Sequence, residues 1–382
     1  MAEVLDICEC ERRPLRGALT GAGPFSRALL LEGGQAVHAL PLLWPVNRPE
    51  IEAHHSGLIG LAPDVELHVA ADALVGGPGA HVRRGNAYLW AAGACPGYVR
   101  HWMRVDWSAE WWAFEPTGEA IRAERVFCVL HYNLIYGHWL TEMLPKLFVI
   151  ARLREQGVSA PIAWPSTAPA YLQAIVNEVL PGQELLVYDP ASAHIAADRV
   201  LLPGMMQQHY LFHPGLLEDL ERLTGGASVQ TGPPTIFVSR SALPTPSAFR
   251  TLTNAAEVES LALDLGLVVV HPEQLPWREQ VGLFAGAELI VGEFGSGLHN
   301  AIFSPAGTRV VALNWINEVQ SRIAAFRGHD LGYILDPDGE PRIFSPEPNH
   351  RGFRIDPDEF ARRVSPLVPA RRSPGWRRAG LR

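Results

Sequence analysis

The segment that decides the fold lies in the C-terminal half of the chain, where residues 289–303 read LIVGEFGSGLHNAIF. An apolar run ends at Gly292, a glycine-rich turn follows, and a helical pattern begins at Gly297. This order is typical of a buried strand of a parallel sheet that leads into a helix. At such a junction, unpaired backbone N–H groups favour an anion, and absent side chains let it approach closely. Gly295, Ser296 and Gly297 therefore form a candidate phosphate-binding turn, although many such turns bind no ligand.

Strands and helices alternate on both sides of this segment. The first 110 residues are predicted to form short strands and turns. A first alternation runs from residue 125 to residue 223, and a linker rich in Gly, Ser, Thr and Pro follows it. The second alternation is predicted to have strands at 235–239, 267–271, 289–291 and 309–313 and helices at 254–265, 276–285, 297–303 and 317–326. Alternating strands and helices predict an α/β fold with parallel sheets covered on both faces. The predicted division is a β-rich segment at 1–110, Rossmann-like domains at 111–229 and 230–345, and a C-terminal helix with a basic tail at 346–382.

Composition and charge narrow the classes of function. The 382 residues are 47% hydrophobic and 19% charged, which suits two globular domains. A formal net charge of -8 argues against nucleic acid as the main partner. No apolar run approaches the roughly 20 residues of a membrane helix, and no secretory signal is visible. We therefore expect a cytoplasmic protein. Its arginine-rich tail at 371–382 is either simply solvated or a peripheral contact with the inner face of a membrane.

A histidine and a glutamate form the second candidate site. His138 and Glu142 are four residues apart in a predicted helix at 137–154, so they share a face of that helix. An imidazole and a carboxylate placed in this way can act as a general base and its orienting partner, and an ordinary surface pair is the alternative. Pro145 predicts a kink or a break in the helix. The pattern lacks a clear third metal ligand, and the two Asp-Pro-Asp segments fit turns better, so we predict no metal.

Two arginines follow the first strand of the C-terminal domain. Ser239 and Arg240 are predicted at the carboxyl end of that strand, where Arg can pair bidentately with phosphate and Ser can add a hydroxyl donor. A surface arginine is the alternative. Arg250 comes next, and Asn254 is a plausible N-cap of the helix that follows.

Together these segments resemble glycosyltransferase family 61. Five motifs of that family occur in the family's order across residues 132–313, namely those at residues 136–146, 239–240, 250–255, 272–280 and 294–300. The first contains His138-Trp139-Leu140 and Glu142, and the last contains Gly295-Ser296-Gly297-Leu298. No single motif is diagnostic, whereas the ordered set is specific.

The resemblance implies a GT-B fold, with two Rossmann-like doubly wound domains that face a cleft, and an inverting glycosyltransferase that needs no obligatory metal. It implies no cofactor: the donor substrate would be a nucleotide sugar, with UDP-sugars the first candidates, and the acceptor a glycan or a lipid-linked oligosaccharide. Bacterial capsule or surface polysaccharide biosynthesis would be the setting. His138 or Glu142 would be the base. The donor would be bound by Ser239, Arg240, Arg250, Glu273, Gln280, Gly295, Ser296, Gly297 and Asn300.

Three residues depart from the family pattern. Lys146 stands where arginine is usual, Ala255 where glutamate is usual, and Phe294 where histidine is usual. Phe294 matters most, because either Glu293 or His299 takes over a polar role, or donor preference has changed, or activity is reduced. Because of these departures, a non-catalytic nucleotide- or sugar-binding scaffold on the same fold is the alternative function. A nucleotide-sugar epimerase or dehydrogenase is disfavoured, because no GxGxxG follows an N-terminal strand.

Overall fold

A computed structural model of the chain describes residues 3–34, 36–37, 39–57, 60–96, 114–116, 118–130, 135–225, 233–243, 250–338 and 352–369. The chain divides into two compact units. The first comprises residues 1–38 and 59–226, and the second comprises residues 39–58 and 227–382. Within the described residues, no helix has both the length and the apolar character needed to cross a membrane.

The first unit is built on a mixed sheet whose strands follow the order β1-β7-β6-β5-β11-β8-β9-β10, with β2 paired to β5. The strands are β1 Glu3–Asp6, β2 Phe25–Leu31, β5 Val65–Gly76, β6 His81–Arg84, β7 Ala87–Trp90, β8 Glu119–Phe127, β9 Ile162–Pro165, β10 Leu185–Tyr188 and β11 Ala193–Pro203. Two small antiparallel sheets pair β3 Ala36–Val37 with β4 Gly60–Leu61 and β12 Gln207–Gln208 with β13 Leu211–Phe212. The helices are α1 Leu15–Thr20, α3 Tyr136–His138, α4 Leu144–Glu155, α5 Ala170–Val179 and α6 Gly215–Thr224, with a π-helix Trp139–Met143 between α3 and α4.

One half of this sheet is parallel, and its strand order reverses once. Strands β8, β9 and β10 follow one another outward, and β11 returns to the other side of β8, parallel to it. The strand order therefore reverses between β8 and β11. In open α/β sheets a reversal of this kind leaves a ligand crevice at the carboxyl ends of the two strands.

The structure differs from the predicted division at residue 110. Strand β11 is one long strand that pairs with β8 on one edge and antiparallel with β5 on the other, so the β-rich segment continues the sheet of the following domain. Residues 39–58 group with the second unit, where the Leu43 amide donates to the Leu331 carbonyl at 2.8 Å. The indole N–H of Trp44 donates to the Tyr333 carbonyl at 2.9 Å. A Cβ at Gly332 would lie 2.7 Å from the Trp44 ring, so the glycine lets the indole pack on its strand.

The second unit is built on a parallel sheet with the order β15-β14-β16-β17-β18. The strands are β14 Thr235–Val238, β15 Val268–Val270, β16 Leu289–Glu293, β17 Arg309–Leu313 and β18 Asp330–Ile334. The helices are α2 Pro49–Ser56, α7 Ala255–Asp264, α8 Trp277–Ala285, α9 Val319–Arg327 and α10 Pro357–Val364, with 3-10 helices Pro272–Gln274, Leu298–Phe303 and Ser365–Leu367. The predicted α/β class is confirmed. The order reverses between β14 and β16, which makes this sheet doubly wound and gives it a crevice at their carboxyl ends.

The core of the second unit lies between this sheet and helices α7 and α10. Phe237 and Val291 are fully buried, and the ring of Phe237 packs edge-on against Phe360 with centroids 6.0 Å apart. Central strands buried on both faces read as continuous apolar runs, which is why β14, β16 and β17 stand out in the sequence. Helix α10 lies in the predicted C-terminal segment, and the basic tail at 371–382 lies outside the described residues.

Candidate active site

The glycine-rich turn connects β16 to a short 3-10 helix at the crevice of the second unit. The Leu298 amide closes the turn by donating to the Gly295 carbonyl at 2.9 Å. In the described part of the chain, the amides of Gly295, Ser296 and Gly297 donate no hydrogen bond to another backbone group. The helix that follows is a 3-10 helix of six residues, so fewer aligned peptides contribute to its dipole than in a long α-helix. The donors that this turn offers an anion are therefore mainly its own N–H groups.

Arg240 lies directly against this turn. It follows β14, the neighbour of β16, and a Cβ built on Gly295 would lie 2.1 Å from Arg240 Nη1. The guanidinium therefore occupies the space that a side chain at 295 would need. Burial lowers the pKa of Arg240 while the charges of Glu293 and Glu273 oppose the shift, and its Nε is buried without a hydrogen-bond partner among the described residues. Because a buried cation is costly unless an anion pairs with it, this arrangement favours an anionic ligand.

Arg250 brings a second guanidinium to the same place. Burial lowers the pKa of Arg250, and the positive charge of Arg240 lowers it further. Two like charges in a partly buried position disfavour each other, and a shared anion relieves both effects. The structure thus brings together Arg240, Arg250 and the 295–297 turn, which the sequence placed far apart.

Glu293 is the buried acid of this site. Its carboxylate Oε1 accepts the Arg240 amide at 2.8 Å, and the side chain is 3% exposed. Burial raises the pKa of Glu293 to about 7; the nearby charge of Glu259 also raises it, while the amides of Arg240 and Leu252 oppose the shift. Of the two residues that could take over a polar role beside Phe294, Glu293 is the one next to Arg240.

The raised pKa of Glu293 predicts a pH dependence of anion binding. The pKa of Glu293 in the folded protein, about 7, lies above its ordinary value of 4.5. The protonated side chain therefore adds to the free energy of unfolding; this contribution is complete below pH 4.5 and is lost as pH rises through 7. A phosphate binds better when this carboxyl is neutral. With inorganic pyrophosphate as the anion probe, we expect the Kd to rise as pH increases from one unit below to one unit above the pKa, by up to about tenfold. Calorimetric titration of wild type and Glu293→Gln tests this. The variant should show only the pH dependence of the phosphate itself, and parallel curves would contradict the role of Glu293.

The contact between Arg240 and Gly295 gives a matched pair of variants. Gly295→Ala places a methyl group on Arg240 Nη1 and must displace the guanidinium, whereas a Cβ at Gly297 meets Pro272 and Val238 only at 3.4 Å. Neither glycine has a positive φ, so alanine strains the backbone at neither position. We expect Gly295→Ala to weaken binding of inorganic pyrophosphate about tenfold, roughly 1.4 kcal/mol, and Gly297→Ala to change it little. The affinities are measured by calorimetry. Equal values for the two variants would show that the contact between Arg240 and the turn does not contribute to binding.

The hydroxyl of Ser239 is already hydrogen-bonded within the protein and is therefore not free to donate to a phosphate. Its side chain is buried, its hydroxyl donates to Glu259 Oε1 at 2.5 Å, and its Oγ accepts the Ser241 amide at 3.0 Å. A hydroxyl has one proton to donate, so Ser239 in this state anchors the turn that carries Arg240. Glu259 was not anticipated from the sequence, because a glutamate on a helix gives no local sign of this partner.

The other predicted donor-binding residues fall into two groups. Gln280 and Asn300 are buried and paired: Asn300 Nδ2 donates to Gln280 Oε1 at 3.0 Å, and Gln280 Nε2 donates to the Leu275 carbonyl at 3.0 Å. This pair joins α8 to the 3-10 helix behind the turn. Glu273 is instead accessible, and its charge raises the pKa of Arg240. It therefore lies near the anion site.

Phe294 is buried where the family pattern has histidine. Its ring packs edge-on against His299, with centroids 5.4 Å apart and an interplanar angle of 77°. His299 Nδ1 lies 3.2 Å from Gln320 Oε1 and is itself buried. The position thus contributes packing beside the turn.

In the first unit, His138 and Glu142 are in contact. His138 Nδ1 lies 3.0 Å from Glu142 Oε1; the histidine side chain is 29% exposed and the glutamate 3%. They lie where α3 passes into the π-helix, in which the Leu144 amide bonds to the Trp139 carbonyl five residues back. Pro145 follows at once and has no N–H with which to continue an α-helical pattern, so the predicted break takes the form of a π turn. Such turns are frequent at functional sites.

The arrangement suits proton transfer. A buried carboxylate that accepts from Nδ1 holds the imidazole in one tautomer, and the more exposed ring can then take a proton from a substrate. A cavity of about 350 Å³ lies beside Glu142 and is also lined by Met205 and residues 207–210. No sequence motif marks these residues as a group. Within the described residues, no three His, Cys, Asp or Glu side chains are grouped closely enough to hold a metal ion.

Lys146, which replaces the usual arginine, is completely buried. Its Nζ donates to the Val129 carbonyl at 3.0 Å, and burial lowers its pKa to about 8. The lysine thus ties α4 to the segment after β8, close enough to Glu142 to respond to its charge.

Comparison with known families agrees with this geometry. The family model described as Glycosyltransferase 61 matches residues 136–311, from the helix that carries His138 to strand β17 beyond the glycine turn. No curated protein sequence matches the chain significantly.

Proposed function

We propose that this chain, whose residues 136–311 match the family model described as Glycosyltransferase 61, is an inverting, metal-independent enzyme that transfers a sugar from a nucleoside-diphosphate sugar to a glycan hydroxyl. The observation that carries the donor assignment is the packing of Arg240 against Gly295 at the point where the strand order reverses. Ligands of open α/β sheets bind at this point, and the chemistry there is that of an anion site.

The anion site also supports metal independence. As the sugar leaves, negative charge develops on the diphosphate, and fixed positive groups lower the energy of that state. Arg240 and Arg250 supply two guanidinium groups, and the 295–297 turn supplies backbone N–H groups. This is the charge that a divalent cation provides in many other phosphate sites.

The reaction is a single displacement. The acceptor oxygen forms a bond to the anomeric carbon from the face opposite the diphosphate, and the bond to the diphosphate oxygen breaks, so the configuration inverts. The acceptor proton passes to His138, which Glu142 orients, and the nucleoside diphosphate leaves with the bonding electrons. We assign the proton to His138 because its side chain is 29% exposed and that of Glu142 is 3% exposed. Glu142 is the member of the pair that lines the neighbouring cavity, so the kinetics of His138→Ala and Glu142→Gln decide between the two residues.

The biological setting rests on the family resemblance. It supports a GT-B arrangement and a cytoplasmic role in assembling bacterial capsule or surface polysaccharide, with a glycan or a lipid-linked oligosaccharide as acceptor.

A thermal-shift panel tests the donor assignment. UDP-, GDP-, CMP- and TDP-sugars are each added to the purified protein, and the unfolding temperature is measured. A ligand that binds only the folded state stabilises it by about 2.7 kcal/mol at 100 times its Kd, so we expect one nucleotide class to raise the temperature clearly. The same ligand should have a much smaller effect on Gly295→Ala. A panel in which no nucleotide sugar shifts the transition would refute the donor site.

A further inference from the structure

The first unit contains a cavity at its own crevice. The cavity, of about 350 Å³, is lined by Glu142, which follows β8, and by Met205 and residues 207–210, which follow β11. These are the two strands between which the order of the sheet reverses. Trp90 and the segment 92–96 complete the described wall. The cavity thus meets the topological rule for a ligand site independently of the arginine site in the other unit.

We propose that this cavity binds one ring of a neutral glycan acceptor and that the turn at His209 and Tyr210 selects that ring. The proposal rests on the proposed function, since it names the substrate class for the base-bearing half of the enzyme. It adds residues that no motif in the sequence assigns.

The walls of the cavity have the chemistry that a sugar ring requires. Gln207 and Gln208 offer amide donors and acceptors, His209 and Tyr210 offer an imidazole and a phenol, and Glu142 offers a carboxylate. Trp90, Cys95 and Met205 offer apolar surface on which the C–H groups of a pyranose can pack. A cavity of this size suits a small ligand or one residue of a larger chain.

The charges of the walls favour a neutral sugar. Among the described residues that line the cavity, a carboxylate is present at Glu142 and no lysine or arginine is present. A uronic acid or a phosphorylated sugar would place a second negative charge near Glu142, with no lysine or arginine among the described lining residues to compensate it. The donor site is the opposite case, since Arg240 and Arg250 both lie there.

The turn that presents His209 and Tyr210 is strained. The two residues connect β12 to β13, and their φ angles are 51° and 58°. Two-residue hairpin turns with positive φ at both positions usually contain Asn-Gly, because larger residues are disfavoured there. Met206 also has a positive φ, of 55°, and the Tyr210 amide donates to Gln207 Oε1 at 2.7 Å, which helps to hold the turn. Two large side chains in place of Asn-Gly, at a cavity wall, indicate that the side chains themselves are used.

The test removes the side chains and keeps the turn. The double variant His209→Asn with Tyr210→Gly restores the residues that such turns prefer, so we expect it to fold and to melt no lower than wild type. Asp72→Gly is the matched control: it relieves another positive φ, of 48°, at an exposed residue that does not line the cavity. Binding is measured by saturation-transfer NMR without nucleotide, using methyl glucoside, methyl galactoside, methyl xyloside and methyl glucuronide as probes.

We expect wild type and Asp72→Gly to bind at least one neutral glycoside and to bind the glucuronide less. The double variant should lose that binding by tenfold or more and keep its thermal shift with the nucleotide sugar. The proposal is overturned if no neutral glycoside binds, if the glucuronide binds as well as the neutral probes, or if the double variant binds them as wild type does. The nucleotide shift is scored separately, so a failure of the acceptor pocket is distinguishable from a failure of the donor site.

Discussion

Replacing His138 by alanine is expected to lower kcat by about 10²–10⁴-fold, the usual contribution of a positioned general base. In the proposed mechanism the variant loses the group that takes the acceptor proton but keeps the arginine site, so its thermal shift with the nucleotide sugar should be unchanged. The measurement is a steady-state assay of transfer with the nucleotide sugar that gives the largest shift.

Two further variants separate the roles within this pair. Glu142→Gln keeps the shape of the side chain and an oxygen that can accept from Nδ1, but it loses the negative charge that favours a protonated imidazole, so we expect a clear but smaller loss of kcat. Glu155→Gln removes an exposed charge near the end of the same helical segment and should have little effect. If Glu142→Gln loses more activity than His138→Ala, then Glu142 is the base; full activity in both would remove the pair from the mechanism.

Replacing Arg240 by alanine is expected to lower kcat/KM by about 10²–10³-fold, as is typical when a donor to a developing negative charge is removed. The guanidinium lies on the Gly295 turn, and its loss leaves Arg250 to compensate the leaving diphosphate. Arg240→Lys keeps a charge but loses the planar fork, so we expect it to recover only part of the loss. The measurement is kcat/KM for the nucleotide sugar, together with the Kd of UDP.

Arg309→Ala is the control for Arg240→Ala. Arg309 is the first residue of β17, at the amino edge of the same parallel sheet, far from the crevice at the carboxyl ends. We expect wild-type kinetics for this variant. Transfer by Arg240→Ala at the wild-type rate would show that the diphosphate binds elsewhere.

Much of the fold of the second unit could be predicted from local patterns. Strands β16 and β17 are continuous apolar runs bounded by polar or turn-forming residues, so their positions are legible in the sequence. Strand β18 was missed because Asp330 and Gly332 interrupt its pattern. The glycine at 332 is explained only by Trp44, nearly 300 residues earlier, which packs where a Cβ would stand.

The parts of the candidate site that follow from local sequence spacing could also be predicted. His138 and Glu142 are four residues apart, so their contact follows from helical geometry alone. The approach of Arg240 to Gly295 follows once both are placed at the ends of neighbouring parallel strands. The bond between Ser239 and Glu259 depends on tertiary packing, and the turn at His209 and Tyr210 lacks the glycine or asparagine that marks such turns.

Residues 39–58 belong to the second unit although they lie between two parts of the first unit in the sequence, and this affects folding during synthesis. This segment leaves the ribosome well before β14–β18. Trp44 can therefore pack on its partner strand β18 only after most of the chain has been synthesised. The second unit therefore cannot be completed from a contiguous C-terminal piece. A fragment beginning at residue 227 would expose the face of β18 that the indole covers, and supplying residues 39–58 as a separate peptide should restore it.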